Sequence, residues 1–157
     1  MRRDRNVRMA DAGNPLALSV KAGVAYAVTV FAIGFLLGTA RVLLIAPRVG
    51  PTIGVLVETP IILTASWYVS GIWMKRLAIG AGIRTRILVG TMAFVTLTIL
   101  EVVLSITLFG ISIDGYLAGL RSPAGAIGFA AQVCFATFPL LNGVVRRQSS
   151  PSRNAAL

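Results

Sequence analysis

The chain has 157 residues, of which 56% are hydrophobic and 13% charged, with a mean hydropathy of +0.84 and a formal net charge of +10. A soluble domain is about 45–50% apolar and about 25% charged, so this composition excludes a soluble globule. Its high hydrophobicity also excludes intrinsic disorder, and we therefore expect an integral membrane protein.

Four segments meet the length requirement for membrane-spanning helices, because each has about 20 or more consecutive, mostly apolar residues. The predicted fold class is therefore all-α, a polytopic membrane protein built as a four-transmembrane-helix bundle. The spans are expected at about residues 20–45, 52–74, 87–111 and 123–145. Segment 1–19 is expected to be a basic cytoplasmic segment, and the polar tail 147–157 is expected to be disordered.

Prolines predict where the helices stop or bend. The first helix is expected to end at Pro47, and Gly50-Pro51 is expected to turn the chain. Pro60 and Pro139 lie inside predicted spans, where a proline removes one N–H from the helical hydrogen bonds. We therefore expect kinks at these two positions.

The basic residues are distributed unequally between the two ends of the predicted spans. Twelve of the fifteen precede or open the first span, lie between the second and third, or follow the fourth, whereas Arg41, Arg48 and Arg121 belong to the opposite side. The positive-inside rule then predicts a bacterial inner-membrane protein with both termini in the cytoplasm. We interpret the net charge as a topology signal with anionic lipid headgroups as partners, and we expect no nucleic-acid binding.

Polar residues inside the predicted spans are candidates for function, because a charge at a helix centre costs about 2.5–3.5 kcal/mol in hydrocarbon. Arg41 and Glu58 are predicted at matching depths, about 9 and 10 Å from the outer ends of the first two helices. Glu101 is expected about 15 Å down, near mid-membrane, with Gln132 beside it. Together with Arg48 at the outer boundary, these residues form a predicted intramembrane polar cluster.

Three of these residues have alternative interpretations that the sequence leaves open. Arg41 either pairs with Glu58 or extends its side chain to the outer headgroups. The Arg41–Glu58 pair either fixes the register of two helices or takes part in function. Glu101 is either a protonated, hydrogen-bonded structural residue or a proton relay.

Glycines predict the faces on which the helices pack. Gly34 and Gly38 have the G-x-x-x-G spacing that permits close helix approach, and Arg41 follows on the same face. Gly125 and Gly128 open a stripe of small residues in the fourth span. We therefore expect these four glycines to pack against neighbouring helices and the polar residues to point inward.

Few residues could support catalysis or metal binding. The chain has no histidine, which is the commonest general base and metal ligand, and its one cysteine, Cys134, excludes an internal disulfide. The sequence has no motif for phosphate-loop, zinc-protease or serine-hydrolase chemistry. We therefore expect no enzymatic activity, no catalytic residue, no cofactor and no bound metal.

Two stretches carry a resemblance to known proteins. The first comprises residues 38–50 (GTARVLLIAPRVG) followed by Glu58-Thr59-Pro60, and the second comprises residues 122–128 (SPAGAIG), Ala131-Gln132 and Phe138-Pro139-Leu140-Leu141. Through these stretches the chain resembles a family of uncharacterised small four-span bacterial inner-membrane proteins. The resemblance covers nearly all of the chain except the tails. It implies a bacterial four-helix membrane protein and supplies no catalytic residue.

Two functions from different classes are compatible with these observations. The leading hypothesis is a non-enzymatic inner-membrane protein in which the Arg41–Glu58 pair orients the outer half of the bundle. The alternative is a small transporter or channel subunit in which Glu101 and Glu58 serve as proton or cation sites. Such a short bundle is expected to form a homo-oligomer, or to join a membrane complex, in order to enclose a pathway.

Overall fold

The computed structural model describes residues 15–80 and 82–148, and these residues form five helices and no strand. The all-α prediction is confirmed, and four of the helices are long and apolar enough to cross a membrane. The helices are α1 (Pro15–Val49), α2 (Pro51–Arg76), α3 (Ile83–Thr107), α4 (Ile113–Leu120) and α5 (Pro123–Gln148). The predicted tail begins inside α5, and the expectations for residues 1–14 and 149–157 lie outside the described residues.

The first helix extends further at both ends than predicted. Its α-helical part continues through a π-helical turn at Arg41–Ile45 into a final short α-helical segment. The prediction that Pro47 ends the helix is wrong. The π turn is wider than an α-helical turn, because the Ala46 N–H donates to the Arg41 carbonyl five residues back and not to the carbonyl four residues back. Pro47 then falls in the first turn of the next segment, where a missing N–H is tolerated. The helix ends instead at Gly50, which has a φ of 84° that favours glycine.

The third span and the connection after it also differ from the prediction. α3 starts and ends earlier than expected, so Glu101 lies only six residues, or about 9 Å, from the last residue of the helix, Thr107. The expected distance of about 15 Å between Glu101 and the end of its helix is therefore too long. The connection expected at 112–122 contains helix α4. This helix begins where the Ser112 hydroxyl accepts a hydrogen bond from the Gly115 N–H at 3.1 Å.

The four long helices form an antiparallel bundle in which each packs against two others. Their order around the bundle is α1, α2, α5, α3, so α1 lies diagonally opposite α5 and α2 lies opposite α3. We call the end that carries Gly50 and α4 the distal end. The opposite end, where α1 starts and residues 77–82 connect α2 to α3, is the proximal end.

The packed core lies in the proximal half of the bundle. Gly23 of α1 brings α3 so close that an added Cβ would lie 2.7 Å from Met92 Cβ. Gly90 of α3 brings α5 closer still, since an added Cβ would overlap the Ala136 carbonyl oxygen. The buried apolar residues are Ala22, Tyr26, Ala27, Val30, Met74, Ile79, Val89, Ala93, Leu97 and Phe135. Almost all of them lie on the proximal side of the bundle's middle.

The outer surface of the bundle is apolar along its length. Leu36, Leu44 and Tyr68, for example, are 69%, 60% and 67% exposed, and many other large apolar side chains point outward with them. Soluble monomers rarely expose continuous apolar surface of this extent. With four helices of spanning length, this surface is typical of a multi-pass membrane protein.

Candidate functional site

The helices separate in the distal half and form a half-open cavity of about 610 Å³. All four long helices and α4 contribute to its wall. Its floor includes Val30, Leu97 and Phe135, which also belong to the buried core, so the cavity ends where the proximal packing begins. Small-molecule sites typically have volumes of about 300–1,000 Å³, and this cavity falls within that range.

One side of the cavity carries an ion pair between α1 and α2. Arg41 Nε donates to Glu58 Oε2 at 2.5 Å, and the two side chains are only 23% and 16% exposed. Gly54 of α2 lies against the Arg41 stem, since an added Cβ there would be 3.1 Å from Arg41 Cγ and 3.3 Å from Cδ. The predicted pairing is therefore present. The π turn that begins at Arg41 and the missing side chain at Gly54 together let the guanidinium reach Glu58.

The opposite side of the cavity carries a second polar pair, between α3 and α5. The Gln132 side-chain amide donates a hydrogen bond to Glu101 Oε2, as the sequence predicted. Tyr116 of α4 lines the same part of the cavity beside Glu101. Burial raises the pKa of the Tyr116 phenol, and the neighbouring Glu101 carboxylate raises it further. The phenol therefore stays protonated at neutral pH, and its hydrogen bond goes to Glu101.

The two pairs face each other without joining into one network. Among the described residues, no hydrogen bond or ion pair connects Arg41–Glu58 to Glu101–Gln132, so the expected single Arg41–Glu58–Glu101 group is instead two groups on opposite walls. The charge of the first group is cancelled internally. Glu101 has only neutral hydrogen-bond partners and forms no ion pair within the described part of the chain. Glu101 is therefore the one carboxyl of the cavity wall without a basic partner there.

Arg48 does not belong to this site, contrary to the prediction. Its side chain is exposed, and its guanidinium donates to the Leu44 carbonyl of its own helix. Because the helix continues past Pro47, Arg48 lies on the last turn of α1 and outside the cavity wall.

The four glycines that were predicted to pack against neighbouring helices have three different surroundings. Gly125 packs tightly, but against α4, since an added Cβ would overlap the Gly119 carbonyl. Added Cβ atoms at Gly34 and Gly38 would meet α2 side chains only at ordinary van der Waals distances of 3.7 and 3.9 Å, so these residues line the cavity without close helix approach. The packing prediction for Gly128 is wrong, because an added Cβ would meet nothing within 4 Å there and the position faces open cavity space.

Both internal prolines lie inside helices, and Pro139 organises a polar contact beneath the cavity. Pro139 has no N–H, so the Phe135 carbonyl lacks its usual helical donor four residues on. The Tyr26 hydroxyl, from the diagonally opposite helix, donates to that carbonyl at 3.1 Å, and the two rings stack with centroids 4.3 Å apart. This contact ties α1 to α5 directly below the cavity floor.

Arg86, which directly precedes the predicted start of the third span, is a buried cation of the proximal half. It lies in the first turn of α3, is 4% exposed, and donates from Nη1 to the Pro139 carbonyl at 2.7 Å. Gly143 makes room for its stem, since an added Cβ would lie 2.7 Å from Arg86 Cδ. No sequence signal indicates this contact, because the missing N–H of Pro139 frees the Phe135 carbonyl four residues back and not the Pro139 carbonyl that Arg86 contacts.

Comparisons with known proteins give no family to which this site could be assigned. No family model, no curated protein and no solved structure matches the chain.

Proposed function

We propose that this chain is a non-enzymatic, multi-pass protein of the bacterial inner membrane whose distal cavity binds a small amphiphilic molecule. The observation that carries the proposal is the cavity of about 610 Å³, which is mostly apolar in its lining residues and has polar pairs on opposite walls. Ligand sites are typically apolar clefts with a few convergent polar groups that orient the ligand. The packed proximal core closes the floor, so the cavity forms a blind pocket and not a continuous pore.

The binding proposal is tested by filling the cavity at a position where a side chain does not disturb packing. Gly128 faces open cavity space, and Gly119 of α4 is equally open but lies outside the cavity wall. Gly128→Leu and Gly119→Leu therefore form a matched pair. The probes are tetraphenylphosphonium, tetraphenylborate and triphenylphosphine oxide, titrated calorimetrically into the purified protein in a non-ionic maltoside micelle.

We expect at least one probe to bind the wild-type protein, to bind Gly119→Leu equally well, and to lose at least about tenfold in affinity for Gly128→Leu. The added Leu side chain would occupy the space that the probe needs. Equal binding to the two leucine variants, or no binding of any probe to the wild type, would overturn the proposal.

The orientation that we propose places both termini in the cytoplasm and the distal cavity toward the periplasm. Its support is the basic-residue asymmetry between the two ends of the bundle, since cytoplasmic flanks of membrane spans are enriched in Lys and Arg. Reporter fusions at Pro51 and at Ser122 test it. Both are expected to show periplasmic reporter activity, and cytoplasmic activity at either one would contradict the orientation.

Transport is a second candidate function, and one observation favours it. Glu101 faces the cavity without a basic partner in the described part of the chain, as a proton- or cation-binding carboxyl would. Glu58, in contrast, is held by Arg41, which argues against it as a free cation site. Glu101→Gln is expected to abolish a proton-coupled flux in proteoliposomes. Unchanged flux of every measured solute would remove this candidate.

A further inference from the structure

We infer that the occupant of the distal cavity is an organic cation with an apolar body, bound through the Glu101 carboxylate; this rests on the proposed function of the cavity as a ligand site. The inference combines two independent features of the cavity wall, its charge balance and its aromatic content. Either feature alone is compatible with other ligands, but the two together favour an organic cation with an apolar body.

The charge balance of the wall favours a positive ligand. Its charged residues are Arg41, Glu58 and Glu101. Arg41 and Glu58 neutralise each other at 2.5 Å, so this pair adds no net charge to the wall. Glu101 is hydrogen-bonded by two neutral groups, the Gln132 amide and the Tyr116 phenol. A monovalent cation that enters this low-dielectric space would therefore meet one carboxylate without a competing basic group.

The aromatic content of the wall favours an organic cation over a metal ion. Six aromatic side chains line the cavity, including five of the seven phenylalanines of the chain: Phe31, Phe35, Phe109, Tyr116, Phe129 and Phe135. Three of them, Phe35, Phe109 and Phe129, are also 40%, 62% and 46% exposed. Aromatic faces attract organic cations and pack against apolar bodies. A hard metal ion would need about six oxygen ligands, and one free carboxylate with an amide and a phenol does not supply them.

The tetraphenyl probes separate charge from shape, because tetraphenylphosphonium and tetraphenylborate have nearly the same size with opposite charges. Triphenylphosphine oxide adds a neutral molecule of similar apolar surface. We compare all three by calorimetry in maltoside micelles on the wild type, Glu101→Gln and Glu101→Asp. The Gln variant removes the charge and keeps a hydrogen-bonding group for Gln132, whereas the Asp variant keeps the charge on a shorter stem.

The wild type is expected to bind the phosphonium at least about tenfold more tightly than the borate. Glu101→Gln is expected to lose that preference, and Glu101→Asp to retain most of it. If the phosphonium binds the wild type and Glu101→Gln equally, or if the borate binds better, the cation inference is overturned. In that case, a Gly128→Leu-sensitive affinity for any probe would still support the cavity as a ligand site. Absence of binding by all three probes would overturn both.

Unfolding of a variant would not be mistaken for loss of recognition. Circular dichroism and the elution volume of each variant are measured in the same micelles, and Glu101→Asp serves as the second charged form. A folded Glu101→Gln protein that still prefers the cation contradicts the inference directly. A folded one that binds the neutral probe normally but loses only the cation preference supports it.

Discussion

Removing one partner of the Arg41–Glu58 pair is expected to destabilise the protein more than its loss of contacts alone would suggest, because the other charge is left in a largely apolar wall. Breaking a fully buried ion pair costs about 3–5 kcal/mol. The two side chains are 23% and 16% exposed, so we expect about 2–3 kcal/mol for Arg41→Met and for Glu58→Met separately. The double variant replaces both charges by apolar side chains and is expected to cost about 2 kcal/mol or less.

The coupling free energy is measured by a double-mutant cycle of reversible unfolding. Sodium dodecyl sulfate is titrated into the protein in maltoside micelles, and unfolding is followed by fluorescence of Trp67 and Trp73 of α2. We expect a coupling of at least about 2 kcal/mol between the two sites. Arg48→Met is the matched control, because Arg48 bonds only within its own helix, and it is expected to change stability by less than about 0.5 kcal/mol. If the effects of the two single substitutions on the free energy of unfolding are additive, the reasoning is refuted.

Three further predictions concern packing and buried polar groups, all measured by the same unfolding titration. Gly90→Ala is expected to lower the free energy of unfolding by about 2 kcal/mol or more, because its Cβ would overlap a carbonyl of α5. Gly128→Ala is expected to leave the free energy of unfolding unchanged or slightly higher. Similar losses of stability at both positions would contradict the separation of core and cavity. Tyr26→Phe is expected to cost about 1–3 kcal/mol by leaving the Phe135 carbonyl without a donor, and an unchanged stability would count against that contact. Ser70→Ala is expected to be neutral or stabilising, because the buried hydroxyl has no partner among the described residues, and a large loss would contradict this.

Much of the fold was predictable because span length and hydropathy are strong signals in a chain of this composition. All four spans are present, and the pairing of Arg41 with Glu58 followed from matched depths on consecutive helices. Helix ends were predicted less well. Pro47 was expected to stop α1, but the helix continues through a five-residue π turn just before this proline. Nothing in the local sequence indicates such a turn.

The candidate site was only partly predictable, because its wall is formed by helices that are distant in sequence. Gln132 was placed beside Glu101 correctly. Tyr116 was missed because the segment that carries it was expected to be a loop, whereas it folds as α4 and contributes to the cavity. Glycine spacing was a poor guide to close packing, since Gly34 lines the cavity while Gly90, which lies in no such spacing, makes the tightest contact with α5. Which small residues face a neighbouring backbone depends on helix rotation, and the sequence pattern alone does not set that rotation.

The central claim is that the distal half of the bundle encloses accessible space while its outer face contacts lipid. It is tested most directly by cysteine labelling in membranes, in a Cys134→Ser background that removes the exposed native thiol. Gly128 faces the cavity, and Val133 of the same helix is 47% exposed outside the cavity wall. We expect Gly128→Cys to react with a water-soluble, positively charged methanethiosulfonate at least about tenfold faster than Val133→Cys, because Gly128 adjoins open cavity space and Val133 lies on the apolar outer face. Equal or slower labelling of Gly128→Cys would contradict the account.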